Sequence, residues 1–344
     1  TVSERMEPLE AATAAAQAAT VIVSSLSDLK EPIYLSALSR QLSALAVRME
    51  PREAAKAAAG IATLMGMKTK AEELRDLAVP LSALAVRMDA KEAASRCAEP
   101  VEAIAALLHK ATDDAIVELA DALSVLAGRI DGKVAARASS AAVAALARMD
   151  HNNLGSVPAV KALGQALSRL ARGLETAEAT RTASAVVVTL GKAKRPEAST
   201  SLLAGLSWLA ERLPRTEATK AANEAFAALA EAPPVASSFL SKAVAVLAKQ
   251  MEPREAKSLC ARAAEVLFAK ANKADSYDSR LLLGGLPSLL GGMEPKEAAE
   301  LSVRAAATTM RFPDLVRGHL RGFSDTVGAV SEQLAEVVGR MDRR

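Results

Sequence analysis

One hexapeptide sets the limits on what this chain can become: "MEPLEA" at 6–11, "MEPREA" at 49–54 and again at 251–256, and "MEPKEA" at 293–298. Looser copies fill the gaps. Taking the leading apolar residue as an anchor lines up Met6, Met49, Met88, Ile130, Leu174, Leu213, Met251, Met293 and Met341, with spacings of 43, 39, 42, 44, 39, 38, 42 and 48 residues. A chain of 344 residues would otherwise suggest two or three unrelated domains. A period of about 42 running from end to end instead requires one structural unit used many times.

The phrase is written for a helix boundary. An acid follows the anchor in most copies (Glu7, Glu50, Asp89, Asp131, Glu175, Glu252, Glu294, Asp342), and Pro comes next at Pro8, Pro51, Pro253 and Pro295. Glu stands four residues after the anchor in seven of eight copies, as Glu10, Glu53, Glu92, Glu178, Glu217, Glu255 and Glu297. An N-cap acceptor, a first-turn Pro with preset φ and a Glu at N3 that reaches back to the cap are what a helix start needs. Before the anchor, Leu or a close relative recurs at minus 11, minus 7 and minus 4, as in Leu38, Leu42, Leu45 and in Leu119, Leu123, Leu126. That spacing draws one apolar stripe along a preceding helix. Arg at minus one (Arg5, Arg48, Arg87, Arg129, Arg212, Arg340) falls in its last turn, and is expected to pair with the Glu at plus four across the corner.

Each unit is therefore two helices: an Ala-rich helix A opening at the phrase, and a helix B carrying the Leu ladder. Short links such as "GMKTKAEE", "HKATDD", "HNNLGSVP" and "EAPPVAS" join them. A pair with one apolar stripe per helix cannot bury it alone, whereas stacked pairs bury it continuously. The expected fold is all-α, one domain over 1–344: a right-handed α-solenoid of about eight two-helix repeats, at approximately 7–49, 50–88, 89–130, 131–174, 175–213, 214–251, 252–293 and 294–341. The period falls in the HEAT and armadillo range, not the shorter tetratricopeptide or ankyrin range. The "LSALA-R-MEPKEAA" wording resembles tandem repeats that accompany some bacterial Ser/Thr protein kinases, and the resemblance covers essentially the whole chain. It implies a bacterial repeat region of unassigned role. Gly-rich, HRD and DFG kinase motifs are absent from the sequence.

Composition narrows the function. Lys plus Arg number 43 against 40 Asp plus Glu, and aromatics are 2% of residues, which argues against a nucleic-acid groove of basic and stacking side chains. The longest early uncharged run, 11–27, is shorter than a membrane span and rich in Ala, Thr and Ser. The reading is a cytoplasmic protein with no membrane segment. Cys97 and Cys260 stand nine residues after their anchors, in a slot that Ala or Ser otherwise fills, so they read as small buried filler. His109, His151 and His319 lack metal-ligand spacing. "GRIDGKV" at 128–134 is one residue short of a phosphate loop between its glycines and carries Val where the metal-binding hydroxyl belongs. No catalytic, metal or cofactor-binding residue is assigned, and the chain is read as a non-enzyme without cofactors.

The side of helix B opposite the ladder is the candidate surface. Positions minus 13, minus 9, minus 6 and minus 2 give rows such as Ser36, Arg40, Ser43, Val47; Lys161, Gln165, Ser168, Arg172; and Ser238, Lys242, Ala245, Lys249. These rows are small and mildly basic. Trp208 flanks the face, with Arg169 in the equivalent slot one repeat earlier. Arg40, Lys161, Arg169, Arg172, Trp208, Lys242 and Lys249 are the candidate partner-binding residues, facing an acidic or helical protein segment in a groove lined by the B helices. Packing of Trp208 between neighbouring helices with Arg169 over its ring is the structural alternative. The competing functions are a HEAT-like nucleic-acid binder and end-to-end self-assembly. The first helix is apolar nearly all round, which suggests either the C-terminal part of a longer chain or self-association through the N-terminal repeat. Kinks are expected at Pro80 and Pro100, and a bent or loosened seventh B helix at "LLLGGLPSLLGGM".

Overall fold

The computed structural model describes residues 8–28, 32–149, 156–192 and 196–310, and all secondary structure among them is helical. The helices come in sequence-adjacent pairs: α1 (Pro8–Asp28) with α2 (Pro32–Ala46), α3 (Pro51–Met67) with α4 (Ala71–Ala85), α5 (Ala90–Leu108) with α6 (Asp113–Leu126), and α7 (Gly132–Arg148) with α8 (Val157–Leu170). They continue as α9 (Thr176–Lys192) with α10 (Pro196–Ala210), α11 (Arg215–Glu231) with α12 (Pro234–Ala248), α13 (Pro253–Lys273) with the broken pair α14 (Ser276–Leu283) and α15 (Leu286–Leu290), and α16 (Pro295–Met310). The terminal B helix expected after α16, the "TVSER" tail, His151 and His319 lie outside the described residues.

Every A helix begins two residues after its anchor. The B helix closes on a tight turn whose last amides reach back three residues, as in Arg87 N to Leu84 O (2.9 Å) and Met88 N to Ala85 O (3.3 Å). The anchor side chain turns inward: Met49, Met88, Leu174, Leu213, Met251 and Met293 are buried. One extended residue follows, with φ near −65° and ψ near 150° at Glu50 and Asp89, and the next helix starts.

Capping departs from expectation. Asp89 and Asp131 do accept the N3 amide, each at 2.9 Å, but the Glu50 and Glu252 side chains do not cap. A Glu carboxylate sits one methylene further out than an Asp carboxylate, and at the Glu252 corner it reaches a neighbouring repeat instead. Glu252 pairs with Arg215, and Glu294 with Lys257 at 2.7 Å. The pairing expected between Arg at minus one and Glu at plus four is likewise replaced. Glu53, Glu92 and Glu178 pair forward along their own helices with Lys56, Arg96 and Arg181, because one helical turn is a shorter reach than the corner. Arg87 instead donates to the Met49 carbonyl of the preceding corner.

Two compact units emerge, α1–α8 and α9–α16, divided between Glu175 and Thr176 at a repeat corner. Within each unit the A helices pack in succession, the B helices pack in succession, and the ladder lies between the layers. Leu77, Leu81, Leu84, Leu119, Leu123, Leu126, Leu163, Leu167 and Leu170 are buried in the first unit. Leu202, Leu206, Leu209, Leu240, Val244, Leu247, Leu282, Leu286 and Leu289 are buried in the second. Full burial of one such side chain stabilises by roughly 2–3 kcal/mol. Leu38 and Leu45 of α2 are the exception, only half-buried. Among the described residues α2 packs on one B helix, α4, whereas α4 and α6 each pack between two.

Cations stitch successive A helices. Lys270 Nζ on α13 donates to the carbonyls of Leu229, Ala230 and Ala232 at the end of α11 (3.0, 3.0 and 2.7 Å), and Arg148 on α7 reaches Leu108 O at the end of α5 (2.5 Å). Carbonyls left open at a helix C-terminus favour a cation. α4 and α5 run helically through the buried Pro80 and Pro100. The seventh B helix is broken, as its glycines require, at Gly284–Gly285.

Candidate functional site

Helix B can present a second face because its ladder covers only one stripe, leaving minus 13, minus 9, minus 6 and minus 2 on the other side. In the first unit, Arg40 on α2 and Lys161 and Arg169 on α8 are exposed, as is Arg172 in the 3₁₀ turn that extends α8. Arg169 donates from Nη1 to the Ser124 carbonyl of α6 at 3.0 Å, tying consecutive B helices together. Arg40 is separated from the α8 cations by α4 and α6. In the second unit, Trp208 on α10 is 40% exposed, and α12, which packs on α10, carries Lys242 and ends at the exposed C-cap residue Lys249. Arg169 and Trp208 belong to different units.

The face is not evenly basic. On α6 the row reads Val117, Asp121, Ser124, Gly128, and Arg75 of α4 is held by Asp76 at 3.1 Å and by Glu118 of α6. Positive charge therefore concentrates on α2 and α8 in one unit and on α12 and α14 in the other. Lys242 is half-buried with its ammonium 4.7 Å from the Phe239 ring centre. Burial lowers its pKa. Arg280 of the adjacent α14 stacks 5.7 Å from the exposed Tyr277 ring.

Sequence reasoning missed the aromatic halves of both pairs, Phe239 and Tyr277, because neither falls on one of the four outward positions. A serine row at minus six, Ser43, Ser82, Ser124, Ser168 and Ser207, was legible in the repeat register. Ser82 Oγ donates across to Val125 O of α6 at 3.2 Å. In the second unit, Ser241 does the same to Gly285 O at 3.3 Å. Ser43, Ser168 and Ser207 instead donate to carbonyls of their own helices, Ser39 O, Gly164 O and Leu203 O.

Cys97 on α5 and Cys260 on α13 are buried and free. Burial pushes each thiol up to about 11, opposed at Cys97 by Arg129. Unfolded thiols titrate near 9.0, so between these values the unfolded chain releases protons that the native chain keeps. Stability therefore falls as pH rises from about 9 towards 11 and is untouched below. By pH 10 each thiol removes about 1 kcal/mol. Urea midpoints of a Cys97→Ala/Cys260→Ala variant between pH 8 and 10.5 should lack that alkaline decline; an unchanged decline would assign it to other groups.

No family model matches the chain, and no curated protein matches it. Among solved structures, a crystal structure of an engineered protein is similar at 17% identity and a TM-score of 0.34, covering 92% of this chain and 89% of that one. A chain from a computational design of self-assembling cyclic homo-oligomers matches at 13% identity and a TM-score of 0.15, covering 99% and 98%. No helix among the described residues is long and apolar enough to cross a membrane.

Proposed function

We propose that this chain is a non-catalytic protein-interaction scaffold: a single right-handed α-solenoid of about eight HEAT-like repeats, with the B helices lining a concave groove that takes an acidic protein segment. The observation that carries this reading is the second unit's outward B face. There, Lys242 on Phe239 and Arg280 on Tyr277 stand on adjacent helices, and no carboxylate pairs with either cation among the described residues. A cation held on an aromatic ring and partly dehydrated binds an incoming carboxylate more strongly than a solvated one. Arg40, Lys161, Arg169, Arg172, Trp208 and Lys249 extend the surface in this proposal. Burial, which raises the pKa of both thiols, disfavours the nucleophilic form of Cys97 and Cys260. The wording of the repeats supports placing the chain with the bacterial kinase-associated repeats, and two free buried thiols fit a reducing cytoplasm. Asp121, with Glu118 nearby, interrupts the basic row and weighs against a nucleic-acid groove.

The test compares proteins captured from source-cell extract by the wild type and by a Trp208→Ala/Lys242→Glu variant. A partner that falls at least tenfold in the variant, and rebinds as a purified protein, supports the groove. Equal recovery, or nanomolar salt-dependent DNA or RNA binding, overturns it. A second reading, self-association through the first repeat, is favoured by the half-buried Leu38 and Leu45 beside the exposed Tyr34 and Val47. It requires a concentration-dependent dimer in sedimentation that Leu38→Glu abolishes.

A further inference from the structure

The A-helix side of the second unit holds a different arrangement. Arg262 on α13 and Arg304 on α16 each stand eleven residues after their anchors, so they are register equivalents. Each guanidinium stacks 4.5 Å from a Phe ring of the preceding A helix, Arg262 on Phe226 and Arg304 on Phe268. Arg304 is completed by a bidentate carboxylate, Glu265, at 2.6 and 3.1 Å. Glu265 stands fourteen residues after its anchor, and the same slot one repeat earlier is Ala227. Arg262 therefore has the ring without the acid.

Around it the surface is recessed. Arg262 lines three adjoining cavities of about 450, 390 and 490 Å³. One is floored by Phe226, Val266 and Leu301. Another carries Arg254, Ser258 and Arg262 along one face of α13. Glu265, Glu297 and Glu300 line the first recess with Arg262, Glu255 the second, and Glu294 and Glu297 the third, and among the described residues none of them lies within salt-bridge distance of the Arg262 guanidinium.

We infer that Arg262 is a docking site for a carboxylate side chain of an acidic, partly apolar segment of a partner protein, seated where Glu265 sits for Arg304. The planar fork is already oriented by the ring, so an incoming carboxylate finds the bidentate geometry preformed. Arg254 lies two turns away on the same face, about 12 Å along the helix. Two acids four residues apart in an extended segment span about 13 Å, which matches that separation, with the residues between them over Met251 and Leu259, which line the recess that holds both arginines.

The probe is a fluorescein-labelled ten-residue peptide carrying two Glu four residues apart with Leu and Val between them, set against its Gln counterpart by fluorescence polarisation. The Glu peptide is expected to bind saturably and the Gln peptide at least tenfold more weakly. Arg262→Gln weakens the Glu peptide by roughly tenfold or more. Ala227→Glu, an exposed substitution that supplies the missing acid internally, blocks the site to a similar extent. Lys133→Gln, an exposed change on α7 of the first unit, leaves the affinity within about twofold, whereas a loss in Lys242→Gln instead of Arg262→Gln would place the peptide in the B-face groove and overturn this inference, so failure of the groove reading and failure of this one are distinguishable. Circular dichroism and continued protection of Cys260 from alkylation verify that the variants fold. No saturation by about 1 mM, equal affinity in Arg262→Gln, or unchanged affinity in Ala227→Glu overturns the inference.

Discussion

Leu123→Ala lowers the unfolding free energy by about 3 kcal/mol, the mid-range for a buried leucine whose surroundings cannot collapse. Leu123 is fully buried at minus seven on α6, with α4 and α8 packed on either side, so neither layer can close the cavity without giving up contacts with the next repeat. Leu38→Ala, at minus eleven on α2, costs only about 1 kcal/mol, because its side chain is already half-exposed. Urea denaturation followed by circular dichroism gives both numbers. Pulsed alkylation adds location, since Cys97 lies in the same unit as Leu123 and Cys260 does not. In a stack stabilised by nearest neighbours, Cys97 labelling accelerates more than Cys260 labelling. Equal costs for the two leucines would refute the shared spine within the unit.

Gly285→Ala destabilises by about 2 kcal/mol through overpacking. A Cβ there would lie 2.3 Å from Ser241 Oγ, 3.0 Å from Ser238 O and 3.1 Å from Leu267 Cδ2, and a backbone carbonyl on a packed helix cannot turn aside as a side chain can. Its φ is −86°, so the requirement is space and not a left-handed backbone. Ser241→Ala relieves the hydroxyl contact alone, and the double-mutant cycle should show about 1 kcal/mol of coupling. Gly291→Ala is the control: a Cβ at that position would meet nothing within 4 Å, and the backbone there is helical. It should be neutral or stabilising by a few tenths of a kcal/mol. A cost for Gly291 equal to that for Gly285 would show that the break between α14 and α15, and not the approach to α12, sets the requirement.

The candidate surfaces were legible in part. Register placed Arg40, Lys161, Arg169, Arg172 and Lys249 on the exposed side of the B layer, because a ladder of period 3.6 fixes which positions face away from it. Register could not reveal that Arg75 is already held by Asp76 and Glu118, that Lys242 rests half-buried on Phe239, or that Arg262 lacks the acid given to Arg304. Those facts depend on which residue of one repeat meets which residue of the next.

By itself the sequence determined where each A helix starts and which stripe each B helix buries. Leucines at helical spacing, followed by an apolar anchor, an extended acid and a Pro or small residue, are a local instruction that leaves the backbone few alternatives. Tertiary structure alone decided what each charged side chain pairs with. A Glu at a corner has one turn of its own helix, the cap and the adjacent repeat all within reach, and its choice turns on differences of one methylene and a few ångströms that the spacing of residues along a chain does not contain.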